Sequence, residues 1–155
     1  MKRQQITKGS ILEIPIDKEY YVYAQILFNA NYVFFDYKTT VPLTDFTPLK
    51  TAPILFIVAL YADVVNRGQW LKVGKMDIRD ECQVLSLKYI KDVIDGSFRL
   101  YDPNTGEMRD AAKEECRGLE VAAVWEGYAI EERIRDHYNG VENIHMAYNA
   151  KFFDS

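Results

Sequence analysis

Apolar and polar positions alternate along the first third of the chain in a way that predicts β-structure. In SILEIPI, Ser10 to Ile16, the residues Leu12, Ile14 and Ile16 fall on one face at a period of two, while Ile11, Glu13 and Pro15 fall on the other. A mixed second face and an internal proline, which has no backbone donor for a ladder, predict an outer strand. YYVYAQILF (Tyr20 to Phe28) and YVFFDYKT (Tyr32 to Thr39) are rich in aromatic and β-branched residues. Asn29, Ala30 and Asn31 separate them, and Asn tolerates the left-handed conformation of a tight turn, so the pair reads as a hairpin. PILFIVALY, Pro53 to Tyr61, has almost no polar side chain on either face, which suits a strand covered on both sides; period alone also allows a buried helix.

Further along, NRGQW (Asn66 to Trp70) is a Gly-centred turn leading into a short segment, Trp70 to Val73. QVLSLKYI (Gln83 to Ile90) fits strand or helix, and strand is favoured. FRLYDPNTGEMR (Phe98 to Arg109) places Asp-Pro-Asn-Thr-Gly between two short pieces, which is hairpin chemistry. Asp110 is positioned to cap a short helix, AAKEEC, that Gly118 stops. Leu119, Val121, Ala123 and Trp125 then line one face of a strand, with Trp125 a core residue at its end. A final helix runs from about Tyr128 to Asn139 and ends at Gly140, where a left-handed residue is wanted. On it Ile130, Ile134 and Tyr138 follow an i, i+4, i+8 spacing, and His137 is expected on or beside that buried stripe as a core-edge histidine.

These elements predict an α+β domain built mainly on an antiparallel β-sheet. Its N-terminal part is compatible with a small, partly closed barrel, and the C-terminal helix packs on it through Ile130, Ile134 and Tyr138. With 155 residues, the chain is expected to be a single domain, able to bury roughly 70% of its unfolded surface without disulfides or metals. Hydrophobic residues at 48% and charged residues at 27% place it among folded globular proteins.

Charge narrows the function classes. The formal net charge is −4 with no Lys/Arg block, which disfavours general nucleic-acid binding. Between Asp102 and Asp136 there are ten acids against five bases, a local net of −5. Lys2 and Arg3 open the chain, but Glu13 and Pro15 break the first apolar run, so no signal-peptide core follows; Pro53 to Tyr61 is too short to span a bilayer. Cys82 and Cys116 are far apart, which reads as free thiols in the cytosol, a structural disulfide being the alternative.

No catalytic set assembles from the pattern. Asp136 and His137 are consecutive, so on a helix their side chains diverge by roughly 100° and do not form an acid-base pair. His137 and His145 are too far apart to share a helical turn, and neither H-E-x-x-H nor C-x-x-C occurs, so no metal or other cofactor is expected. Asp102 and Asn104 echo a calcium loop, but Glu107 stands where its sharp-turn Gly belongs and Lys113 where its closing Glu belongs. There is no G-x-S-x-G elbow and no Gly-rich phosphate loop. The aromatics of Tyr20 to Tyr37 lack interleaved Lys or Arg and read as core and interface rather than a base-stacking platform. Glu131 and Arg135 are a favourable i, i+4 pair whereas Glu132 and Asp136 repel, so this helix face is either solvated or a partner surface.

The order GSILEIPI, YYVYAQIL, VFFDY, PILFIV, GQW, then ECRGLEVAAVW followed by EERIRDHYNG, resembles the immunity protein 26 family of bacterial polymorphic toxin systems. Its C-terminal block here comprises Glu115, Cys116, Gly118, Leu119, Glu120, Ala122 to Trp125, Arg133, Asp136, His137 and Tyr138. The resemblance runs from about residue 8 to residue 143 and leaves 144 to 155 as a C-terminal tail. It implies a cytosolic antitoxin-like protein that silences a cognate toxin domain by stoichiometric binding, without catalysis. The acids Glu114, Glu115, Glu131, Glu132 and Asp136 are the expected recognition surface, because charge complementarity speeds and orients association with a basic partner. The same grouping includes a protein described as a phosphotriesterase, so a hydrolase stays open as an alternative, as does a non-catalytic ligand-binding module. Two histidines do not supply the imidazole-rich ligand set usual for a binuclear hydrolase centre.

Overall fold

The computed structural model describes residues 3–154; Lys2, the first of the two basic residues near the start of the chain, lies outside them. Along the chain run β1 (Ser10–Ile16), β2 (Tyr20–Ile26), β3 (Asn31–Thr39), α1 (Thr47–Thr51), β4 (Ile54–Leu60), α2 (Asp63–Asn66), β5 (Leu71–Lys75), β6 (Lys88–Lys91), β7 (Phe98–Tyr101), β8 (Met108–Ala111), α3 (Lys113–Cys116), β9 (Val124–Trp125), α4 (Gly127–Asn139) and α5 (Ile144–Ala150). The class is α+β, with antiparallel pairing throughout the two sheets except between β4 and β9. Two compact units result: the chain up to Gln83 with Val124–Glu131, and Val84–Ala123 with the chain from Glu132 on.

The first unit holds a six-stranded sheet in the order β5-β1-β2-β3-β4-β9. Its end strands are β5 and β9, so the sheet is open and no barrel closes among the described residues. The β2–β3 hairpin forms where turn chemistry places it: Asn29 and Ala30 both have positive φ, and Leu27 N–H donates to the Asn31 carbonyl at 2.9 Å. β4 is a strand whose Phe56, Val58 and Leu60 are buried while the alternate positions are half-buried. β1 is not an outer strand as its proline suggested, because β5 pairs along Ser10 to Glu13. Pro15 lies beyond the end of that ladder and is partnered only by Tyr21 of β2, so its missing donor costs no pairing. The core is centred on β1 to β3, where Leu12, Ile14, Tyr23, Phe34 and Phe35 are fully buried, with Trp70 edge-on to Phe34 at 5.8 Å.

The second unit is built on the sheet β6-β7-β8. Only the end of the Gln83 to Ile90 run becomes strand, as part of β6. The β7–β8 hairpin turns through Asp102 to Gly106, where the Asp102 carboxylate accepts the Asn104 N–H at 2.8 Å. Tyr89, Phe98, Leu100 and Cys116 form a core cluster against which Leu119, Val121, Phe152 and Phe153 pack. Asp110 does not cap a helix: it pairs with Arg99 inside the β7–β8 ladder. α3 starts three residues later, and the Glu115 carboxylate accepts the Ala112 N–H at 3.0 Å in the capping role. Leu119 to Ala123 is not a strand either; a single bridge joins Val121 to Tyr89, and only Val124 and Trp125 extend, in β9 of the first unit.

α4 begins at Gly127 and stops at Gly140, which has positive φ. Ile130 and Ile134 are fully buried, whereas Tyr138 is half-buried and His137 is exposed. His137 is therefore not a core-edge residue: complete burial stops at Ile134, one turn before the helix does. The residues from Ile144 on, to which no element was assigned from sequence, form α5, capped by the Asn143 side chain on the His145 and Met146 N–H groups. No helix among the described residues is long and apolar enough to cross a membrane.

Candidate functional site

The predicted acids are distributed over two short helical surfaces, and the local fold gives most of them a partner. On α3, Glu114 and Glu115 are exposed. Glu114 pairs with Arg117 at 2.8 Å, an i, i+3 contact, and the guanidinium bond holds its carboxyl below the usual range. Glu115 accepts the Ala112 N–H and pairs with Arg109 at 3.1 Å, and these bonds hold its carboxyl low as well. Both carboxylates therefore stay ionised well into acid while remaining open to solvent. Exposed ion pairs of this kind contribute little to stability, so they exchange readily for other cations.

On α4 the acids diverge in what they face. The Glu131 carboxylate accepts the Trp70 Nε1–H at 2.9 Å, and Gln69 Nε2 lies at 3.4 Å. Trp70 is fully buried, so Glu131 serves the first unit's core as the indole's acceptor. Gly127, four residues earlier, makes that approach possible: a Cβ there would stand 2.6 Å from Val64 Cγ1 and 2.8 Å from Gln69 Nε2. Glu132 is half-buried. Asp136, also half-buried, accepts the Asn143 Nδ2–H at 2.9 Å and so steadies the residue that caps α5.

Three features escaped the reading of the sequence. Glu120 and Arg133 form an ion pair at 2.5 Å with both side chains largely shielded, and Lys88 of β6 is buried beside Glu120. Burial pushes the Lys88 ammonium down, with the Glu120 charge pulling it back up. A cleft of about 1260 Å³ in the first unit is lined by Lys8, Asp45, Phe46, Lys50, Lys75 and Arg79 among others, charges of both signs. Within it Arg79 donates to the Leu49 and Ala52 carbonyls, at 3.1 and 2.6 Å, and pairs with Glu81. The third feature is the exposed aliphatic pair Val93 and Ile94 at the tip of the β6–β7 hairpin. Burial of a charged side chain and long-range pairing leave no local sequence signal, whereas two β-branched residues among turn formers do.

His137 and His145 are both exposed, and Cys82 and Cys116 are buried free thiols whose pKa values burial raises. Among the described residues no three His, Cys, Asp or Glu side chains gather closely enough to hold a metal ion. What the arrangement offers is a set of exposed or half-exposed carboxylates on two helices and an apolar hairpin tip.

Compared with known proteins, the chain matches the family described as Immunity protein 26 over residues 7–100, more than half of its length. The match takes in β1 through β6, β7 up to Leu100, the cleft and the hairpin tip; the C-terminal block from Glu115 to Tyr138 lies outside it. No curated protein and no solved structure matches the chain.

Proposed function

The chain belongs to the immunity protein 26 family, and on that premise we propose that it neutralises a cognate bacterial toxin domain in the cytosol by binding it one to one. The family match carries the reading. The exposed carboxylates held ionised on α3 and the half-buried carboxylates of α4 support it, because a protein that works by occupying a partner needs a preformed, charged surface rather than an assembled reaction centre.

The recognition surface proposed is Glu114, Glu115, Glu131, Glu132 and Asp136. Glu114, Glu115 and Glu132 supply charge to the partner, while Glu131 and Asp136 also hold Trp70 and Asn143 in place. The test is association kinetics with a catalytically disabled toxin domain. Reversal of Glu114 and Glu132 to Lys, with Glu131 left intact, is expected to lower the association rate roughly 10-fold or more at low salt and to flatten its salt dependence. An unchanged rate in a folded variant removes these acids from the interface.

A further inference from the structure

The β6–β7 hairpin turns through Asp92 to Ser97, and its apex exposes Val93 and Ile94, with 72% and 94% of their surface in water. The rest of the turn is built from residues that turns favour. Asp92 Oδ1 accepts the Ile94 and Asp95 N–H groups at 2.8 and 3.2 Å, and Asp95 Oδ1 accepts the Ser97 N–H and hydroxyl at 2.8 and 2.6 Å. Gly96 has positive φ, and its N–H donates to the Asp92 carbonyl at 2.9 Å. Lys91 Nζ donates to the Gly96 carbonyl at 2.9 Å while lying 4.3 Å from the centre of the Phe98 ring. The tip is therefore rigid before anything binds it.

Nothing in this turn chemistry asks for two β-branched aliphatics at the apex. The other hairpin ends of the chain present Asp17 and Lys18, Asn29 and Ala30, and Asp102 to Gly106. An apolar pair held out on a stiff loop gives up little conformational freedom on burial, which is the property of an interface anchor. The carboxylates of Asp92 and Asp95 flank it, and the bonds from Ser97 hold the Asp95 carboxyl below the usual carboxylate range.

We propose that the Val93–Ile94 tip is an anchor that enters an apolar pocket on the toxin domain, with basic residues at the pocket's rim facing Asp92 and Asp95. This rests on the immunity reading above and names the part of the surface that sets affinity, where the acids of α3 and α4 set the rate of encounter. Both side chains lie in solvent, so truncating them leaves the fold intact.

The experiment measures binding of the full chain, Ile94→Ala, and Val93→Ala/Ile94→Ala to a catalytically disabled toxin domain, with thermal midpoints of all three and sedimentation of the free proteins. Ile94→Ala is expected to weaken binding at least about 10-fold and the double variant about 100-fold, mostly through faster dissociation, with unchanged midpoints. Wild-type binding that both variants retain in full overturns the anchor while leaving the immunity reading standing. Absence of wild-type binding to a folded toxin domain overturns both. If the free chain self-associates and the variants abolish that without altering toxin affinity, the tip joins copies of this chain and the proposal is likewise overturned.

Discussion

Removing the Glu131 carboxylate asks whether this acid belongs to the core or to the surface. It accepts the Trp70 Nε1–H at 2.9 Å, and Trp70 is fully buried, so without the carboxylate the indole donor loses its acceptor. An unsatisfied buried donor costs about 1–3 kcal/mol, and a bond to an ionised acceptor contributes about 1.5–3 kcal/mol. Glu131→Ala is therefore expected to destabilise the protein by about 2 kcal/mol. Glu131→Gln keeps an oxygen in reach and loses about 1 kcal/mol. Trp70→Phe removes the donor together with part of the packing on Phe34, so the pair is best isolated by a double-mutant cycle with Glu131→Ala. Urea unfolding followed by far-ultraviolet circular dichroism provides the free energies without relying on the tryptophan. With a urea slope of about 2 kcal/mol/M, Glu131→Ala should lower the midpoint by roughly 1 M. The expected coupling energy is about 1.5–2.5 kcal/mol. A coupling under about 0.5 kcal/mol would refute the reasoning and return Glu131 to the solvent-facing acids.

Gly127→Ala should destabilise by about 1–2 kcal/mol, although Ala is the better helix former, because the new Cβ would stand 2.6 Å from the buried Val64; a rise in the unfolding midpoint would contradict the close packing. Asn104→Ala should cost about 1–3 kcal/mol, since its amide donates to the Leu85 carbonyl and accepts the Leu85 N–H, each at 2.8 Å, and Leu85 is buried; an unchanged denaturant midpoint would remove that role. Burial raises the Tyr32 phenol to about 12, against about 10 in the unfolded chain. The native phenol keeps its proton over that interval while the unfolded one loses it, so the contribution is complete below pH 10 and is lost as pH rises towards 12. By pH 11 the loss is about 1.4 kcal/mol, and Tyr32→Phe should show a correspondingly shallower decline in unfolding free energy between pH 9 and pH 11.

Local signals account for most of what the sequence revealed. The β2–β3 and β7–β8 hairpins are written in their turn residues, and the end of α4 in Gly140. The inner position of β1 has no local signal, because its second neighbour, β5, arrives from some 60 residues away and stops short of Pro15. Asp110 has the chemistry of a cap, but Glu115, from inside α3, performs that task. α5 has no buried residue and hence no apolar stripe to betray it; only its Asn143 cap is legible. The acids of the candidate surface were visible one by one, but not that Glu131 turns to a tryptophan 61 residues away or that Asp136 steadies Asn143. Such pairings are decided by tertiary packing, which no period or spacing encodes.

The central claim is tested most directly by calorimetric titration of the full chain against the catalytically disabled domain of a candidate cognate toxin. The account predicts saturable one-to-one binding with a nanomolar or tighter dissociation constant, on the order of −12 kcal/mol. No heat of binding to a correctly folded toxin domain would contradict it.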